Sequence, residues 1–323
     1  MSVFGHEKYL KEAVLSILQQ TYQDFEFLIV NDGNDAANRE LLKSFADPRL
    51  IIIDQEWRGL TRSLNHAIGR SRGEYIARMD ADDVSLPERF QKQVEVLYEN
   101  PTVGLVGTSY MDISENGERI IETLFSQSSQ ELKQDLIFQN QFCHGSVMFR
   151  RKCCQKVGAY REEFRKAQDY DLWLRVAEHY DLSNLREVFY KRRVNVDSIS
   201  IASKDEQNFF ARCARECAKA RRAGRVEPLA KLHGPYKPAR GFKRLCRNDK
   251  KLSLFHYKLY YGRSLFTRRD LKHARQFFIA ALRQLPYRLD LVGFLLATYL
   301  PVHFVNKIAT TWSKLRRKAM MTA

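Results

Sequence analysis

No two of the six cysteines (Cys143, Cys153, Cys154, Cys213, Cys217 and Cys246) form a CxxC pair or stand at zinc-ligand spacing. This excludes a disulfide framework and a cysteine metal site in a chain of this size, so the six are read as reduced thiols. Cys213 and Cys217, one helical turn apart among basic residues, are read as ordinary helix positions rather than a reactive pair. The start lacks an apolar run, because His6, Glu7 and Lys8 interrupt it; no signal peptide is predicted and a cytoplasmic location is expected. A stretch of the ~20 apolar residues needed to span a bilayer is missing as well. The best candidate, Leu291 to Val305 (LVGFLLATYLPVHFV), is shorter and contains Pro301 and His303. Acid is scarce toward the C-terminus, where residues 201–323 hold 28 Lys+Arg against 7 Asp+Glu.

What is present is a chain of 323 residues with 44% apolar content, enough for a sizeable core. Its net charge of +16 is unevenly divided: +21 falls in residues 201–323 and −5 in residues 1–200. Two parts with different partners are expected, the basic one suited to an anionic lipid surface or to nucleic acid.

Apolar positions alternate between helical and strand periods. Glu7 to Gln20 places Leu10, Ala13, Val14, Ile17 and Leu18 on one helical face, and FEFLIV (25–30) reads as a buried strand. A helix around Leu41, Leu42 and Phe45, a strand at 50–53, a helix at 60–68, a strand at 75–79 and another at 103–106 follow. This alternation predicts an α/β fold with a parallel sheet flanked by helices, whose ligands gather beyond the carboxyl ends of the strands. Two turns bearing carboxylates fall there: Asn31-Asp32-Gly33, and Asp80-Ala81-Asp82-Asp83. Ser85 and Glu88 then read as a capping box, with Pro87 in the first turn of a helix that carries Phe90, Val94 and Leu97.

In an extended segment Asp80 and Asp82 share a face and can meet one cation. Hard carboxylate oxygens without His or Cys suit Mg²⁺ or Mn²⁺, which complete their shells with water and substrate phosphates. The acidic run reads equally well as a solvated turn that caps the following helix.

The stretches EKYLKEAVLSILQQTYQDFEFLIVNDG, LTRSLNHAIGRSRGEYIARMDADDVSLPERFQKQ and AQDYDLWLR, in this order, resemble family 2 glycosyltransferases of the GT-A fold over roughly residues 1–200. The resemblance implies a Rossmann-like, mostly parallel sheet and transfer of a sugar from a nucleotide diphosphate donor, most often a UDP-sugar, to an acceptor hydroxyl with inversion. It implies that Asp32 binds the nucleotide base, that Asp80 approaches the ribose and the metal, and that Asp82 coordinates the divalent cation. Arg58 and Arg62 fall where family members often place donor-binding residues, and read equally well as part of a solvated helix face. Asp169 matches the catalytic base, which takes the acceptor proton opposite the leaving diphosphate. Gln168 stands where the family has Glu, and His144 and Gln168 are further candidates on the acceptor or active-site side, a satisfied structural histidine being the other reading of His144. Asp171 is read as an early-turn helix carboxylate, and Asp83 as a brace for the turn and the helix after it.

The family opens with a strand of the type VSVIMPVYN, whereas this chain opens MSVFGHE. Most of the first strand is therefore expected to be missing, with Met1 an internal methionine and neighbouring strand edges unpaired.

The expected domains are a GT-A domain at 1–204, a basic helix and linker at 205–240, and a basic, mainly helical extension at 241–323. Residues 209–225 are helical in pattern, and His233 to Arg240 reads as a linker. KLYYGRSLFTRRDLKHARQFFIAALRQLP resembles one helix-turn-helix unit of the tetratricopeptide type, with Gly262, Ala274, Phe278 and Pro286 in matching places. The apolar segment from Leu291, followed by Lys314, Arg316, Arg317 and Lys318, fits an interfacial segment on the inner face of an anionic plasma membrane, or a helix packed on the domain. A saccharide or lipid-linked acceptor and a role in cell-surface polysaccharide or glycolipid assembly are expected. The alternatives are a nucleic-acid-binding protein, disfavoured by the absence of a known module, and an inactive transferase.

Overall fold

The computed structural model describes residues 1–5, 8–125, 128–194, 204–232, 250–267, 270–284 and 289–300. The chain divides into two units, one of 1–194 with 207–235 and one of 195–206 with 236–323.

The first unit begins with the predicted alternation: β1 (Ser2–Phe4), α1 (Leu10–Leu18), β2 (Phe27–Asp32), α2 (Ala36–Lys43), β3 (Leu50–Gln55), α3 (Leu60–Arg70) and β4 (Tyr75–Ala77). β1, β2 and β3 form a parallel sheet in that order, with Ser2 beside Val30 and Phe27 beside Leu50. β2 is buried along its whole length, as expected of a strand covered on both faces. α1 turns Leu10, Ala13, Val14 and Ile17 into the core.

Beyond β4 come β5 (Val84–Ser85), α4 (Arg89–Glu99), β6 (Val103–Ile113), β7 (Arg119–Thr123), α5 (Ser129–Leu136), a 3₁₀ turn (His144–Ser146), β8 (Met148–Arg150), α6 (Arg151–Val157), α7 (Gln168–Val176) and β9 (Asp181–Arg193). They build a second sheet in the order β4-β8-β6-β9-β5, with β7 also on β6. β6 and β9 run parallel, whereas β4–β8, β6–β8, β5–β9 and β6–β7 are antiparallel. The parallel sheet predicted from the alternation thus holds for the first three strands and for the long β6–β9 pair. Elsewhere the strands pair antiparallel; of these pairs β6–β7 is a hairpin whose short connection, Ser114 to Glu118, has no room for a crossover helix.

The capping box is corrected. α4 starts at Arg89 behind Glu88, which makes no side-chain cap, and Ser85 lies in β5. The buried Gln20 takes over from α1's end: its Oε1 accepts from Phe90 N at 3.0 Å and its Nε2 donates to Ser85 Oγ at 3.0 Å. A side chain from a distant helix end satisfies the amide that a local cap would have served.

Beside the short β1, a cavity of about 590 Å³ is lined by Met1, by Phe27 and Leu28 of β2, and by Tyr75, Ile76 and Ala77 of β4. The buried Met1 amino group donates to Leu28 O at 2.9 Å, and β4 is an edge of its sheet.

α8 (Lys204–Arg222) was expected in a separate basic segment. Instead Phe210, Cys213, Ala214 and Cys217 are buried in the cluster that contains Phe164 and Trp173. Burial pushes the Cys217 thiol up to about 12, which fits an inert packing residue. Arg221 on the same helix pairs with Glu178 and Glu227, both at 2.8 Å. The linker read at His233 to Arg240 lies outside the described residues.

The second unit contains α9 (Lys250–Thr267), α10 (Leu271–Leu282) and α11 (Leu289–Ala297). α9 and α10 form the predicted helical pair: a Cβ at Gly262 would come within 2.7 Å of the Phe278 ring, so the glycine allows the helices to approach. Asp270 caps α10 by accepting from His273 N at 3.2 Å. Among the described residues no helix is long and apolar enough to cross a membrane. Pro286 and everything from Pro301 onward lie outside the described residues.

Candidate active site

The acidic turn Asp80–Asp83 leaves the end of β4 behind a buried arginine. Arg78 is 4% exposed and donates to Met79 O and to Asp80 Oδ1. Burial opposes ionisation of Asp80, yet the Arg78 guanidinium, helped by His144, holds its carboxyl below the usual carboxylate range. Asp80 and Asp82 are half-buried. Asp83 is buried, and burial, followed by the charges of Asp82 and Asp80, pushes its carboxyl well above the usual value. It braces the turn as expected, but against β9 rather than the following helix: Oδ1 accepts from Arg193 N at 2.7 Å and Oδ2 from the Tyr190 hydroxyl at 2.8 Å.

α7 supplies the opposite wall. Ala167 adopts a left-handed φ of 54°, a strained conformation that turns the chain into the helix at Gln168. Asp169 sits in the first turn, half-buried, and accepts from Asn140 Nδ2 at 2.8 Å. One turn on, the fully buried Trp173 anchors the helix among the rings of Phe142, His144, Phe149 and Tyr160, at 6.4, 6.3, 5.7 and 6.3 Å between centroids. Gln168 is 7% exposed at the helix start.

His144 links the two walls. Its Nε2 lies 2.9 Å from the Tyr160 hydroxyl, and the charges of Arg78, Asp169 and Asp80 all act on it. Burial first, then Arg78, pulls the imidazole down to about 4, so it is neutral near pH 7. An unfolded histidine titrates near 6.5. The unfolded chain therefore takes up a proton that the folded one refuses, and stability present above about pH 6.5 falls as pH drops toward about 4, by up to about 3 kcal/mol. We expect His144→Gln to reduce the loss of urea midpoint between pH 7 and pH 4.5. An unchanged pH slope would show that His144 is not held neutral.

The remaining predicted residues divide into two groups. Asp32 is 1% exposed, and its carboxylate accepts from Gln55 Nε2 at 2.9 Å, Arg58 N at 2.7 Å and Gly59 N at 2.9 Å. It fixes the loop into α3. Arg58 and Arg62 line a surface cleft of about 530 Å³ with Asn65, His66 and Glu162, where Arg62 pairs with Glu162 at 2.7 Å. Asp171 is fully buried and pairs with Arg175 at 2.9 Å, which bears out its reading as a helix carboxylate.

Among the described residues no three His, Cys, Asp or Glu side chains converge on a metal position. Asp80 and Asp82 nevertheless fit a Mg²⁺- or Mn²⁺-type ion that takes one or two carboxylates and draws its other oxygens from phosphates and water.

Sequence reasoning passed over Arg78, Asn140, Tyr160, Tyr190 and Arg193. Arg78 did leave a signal, as the one charge in the strand-like YIARM. Tyr190 and Arg193 reach the turn from 107 and 110 residues away, a distance that no local pattern spans.

The model of "Glycosyl transferase family 2" matches residues 1–158. The O-antigen biosynthesis glycosyltransferase WbnJ of Escherichia coli is 38% identical over 179 residues, covering 54% of this chain and 69% of that protein. The amylovoran biosynthesis glycosyltransferase AmsE of Erwinia amylovora is 31% identical over 209 residues, 62% of this chain and 77% of that one. Among solved structures, S. aureus TarS 1–349 in complex with UDP superposes with a TM-score of 0.54 at 14% identity over 95% of this chain and 88% of that one. The mannosyltransferase PcManGT from Pyrobaculum calidifontis, in complex with GDP-Man and Mn²⁺, gives 0.52 at 18% identity over 96% and 82%. The structural likenesses show the shared GT-A fold, and the sequence relatives show the family: this chain belongs to glycosyl transferase family 2 and is a glycosyltransferase.

Proposed function

We propose that the first unit is an inverting, cation-assisted transferase that moves a sugar from a nucleoside diphosphate donor, a UDP-sugar, to a hydroxyl of a saccharide or lipid-linked acceptor in surface polysaccharide assembly. The observation that carries the reading is that the charges of Asp80 and Asp169 both act on His144, whose Nε2 lies 2.9 Å from the Tyr160 hydroxyl, with Asp82 in the same turn as Asp80. Relatives named for O-antigen and amylovoran biosynthesis support the product class, and neighbours with UDP, UDP-GlcNAc or GDP-Man with Mn²⁺ support the donor and cation.

Asp169 takes the acceptor proton as the acceptor oxygen bonds to the anomeric carbon, while the bond to the donor diphosphate breaks and its electron pair leaves on the opposite face. Asp82 and Asp80 would hold a divalent cation, which would supply charge stabilisation to that leaving group when bound. Asn140 orients Asp169, Arg78 holds Asp80 ionised, and His144 and Gln168 border the acceptor side. Asp32, its oxygens engaged by the loop before α3, shapes the base-binding wall, and Arg58 and Arg62 offer positive charge to the donor. In the second unit the exposed Leu296, Tyr299 and Leu300 support attachment to an anionic membrane surface.

Thermal melting tests the reading. UDP is expected to raise the melting temperature with Mn²⁺ or Mg²⁺ present and not in chelator. Stabilisation by an oligonucleotide but not by UDP or a UDP-sugar would overturn it.

A further inference from the structure

β9 closes on the acidic turn. Val84 and Ser85, which follow the turn directly, pair with Lys191 and Tyr190. Tyr190 is fully buried. Its hydroxyl donates to Asp83 Oδ2 at 2.8 Å and accepts from the Asp80 amide at 3.3 Å. One oxygen thereby ties the first residue of the turn to the last, with Asp82 between them. Arg193, on the same strand, donates from Nε to Asp82 O at 3.0 Å, so the backbone of Asp82 is also held.

The surroundings hold the hydroxyl at one point. A Cβ at Gly145 would lie 1.9 Å from Tyr190 Oη and 2.8 Å from Asp80 Oδ2, so the chain approaches both groups as closely as glycine permits. The buried Arg89 donates to Gly145 O at 2.8 Å and places its guanidinium 5.3 Å from the centre of the Tyr190 ring. Three carboxylates in four residues repel one another, and without a fixed tie they would spread. The hydroxyl counters this by offering a donor to Asp83 and an acceptor to the Asp80 amide.

The geometry points to Tyr190 as a positioning residue: through Asp83 and the Asp80 amide its hydroxyl sets the direction in which Asp80 and Asp82 present their oxygens to a divalent cation. It touches neither the cation nor the donor. This rests on the cation-assisted reading above. Groups that orient metal ligands in this way typically carry about 10–100-fold in metal affinity.

The test compares the full-length wild type with Tyr190→Phe, which keeps the ring and removes the tie. Mn²⁺ binding in the presence of UDP is measured by the electron paramagnetic resonance of free Mn²⁺, beside kcat as a function of Mn²⁺ and the melting temperature without ligand. We expect the Mn²⁺ dissociation constant to rise about tenfold, kcat to recover at saturating Mn²⁺, and the melting temperature to fall by only a few degrees, as the unpaired Asp83 oxygen requires. Asp83→Asn, at the other end of the tie, is measured in the same way, and carries the test if Tyr190→Phe does not fold. Wild-type Mn²⁺ affinity in the folded variant, or a loss of kcat that saturating Mn²⁺ does not restore, overturns the assignment. A wild type that binds UDP and transfers sugar without regard to Mn²⁺ or Mg²⁺ overturns the cation reading and this assignment together, and the wild-type arm alone reveals that case.

Discussion

Replacing Asp169 with Asn is expected to lower kcat by about 10²–10⁴-fold, the range that a positioned general base supplies. The substitution keeps the side-chain shape, and Trp173, one turn further along α7, continues to anchor the helix among four aromatic rings. The fall therefore reports lost proton acceptance rather than a displaced helix. Donor affinity should change little, because Asp80 and Asp82 belong to the opposite wall. The measurement is a donor screen read by release of free nucleoside diphosphate in the presence of acceptor. A variant that turns over the preferred donor as fast as wild type would show that Asp169 is not the base. Asp171 is no alternative, since it is fully buried against Arg175.

Asp82→Ala is expected to abolish the cation-dependent protection by UDP and to reduce transfer on the order of 10³-fold, as loss of several kcal/mol of leaving-group stabilisation requires. Asp80 alone leaves the cation with a single carboxylate, one oxygen of which is shared with Arg78. The fold should survive: Asp82 is half-buried, and Arg193 holds its backbone oxygen, which alanine retains. Melting curves with UDP, with and without Mn²⁺, check the first effect and nucleoside diphosphate release checks the second. Full protection in the variant would remove Asp82 from the cation site.

The helix–strand alternation from β1 to β4 was legible because each element is local. The apolar faces of α1 and the buried run of β2 repeat at periods that a short window contains. The capping box at Ser85 and Glu88 misled for the opposite reason. Its local pattern is present, but the helix starts later, and Gln20, 70 residues earlier in the chain, accepts from its first-turn amide at Phe90. α8 read as a basic segment because charge dominates its composition, while the few apolar residues that pack it beneath α7, Phe210, Cys213 and Cys217, count for little in an average.

By itself the sequence determined the family, the order of the early elements, and which carboxylates stand at strand and helix ends: Asp80, Asp82 and Asp169. The tertiary structure alone decided how they are held. Arg78 holds Asp80 from two residues away, once burial has turned it inward, whereas Asn140 on Asp169, and Tyr190 and Arg193 on the turn, are contacts made across the fold. A buried carboxylate takes the nearest donor in space, and distance along the chain has no part in that choice.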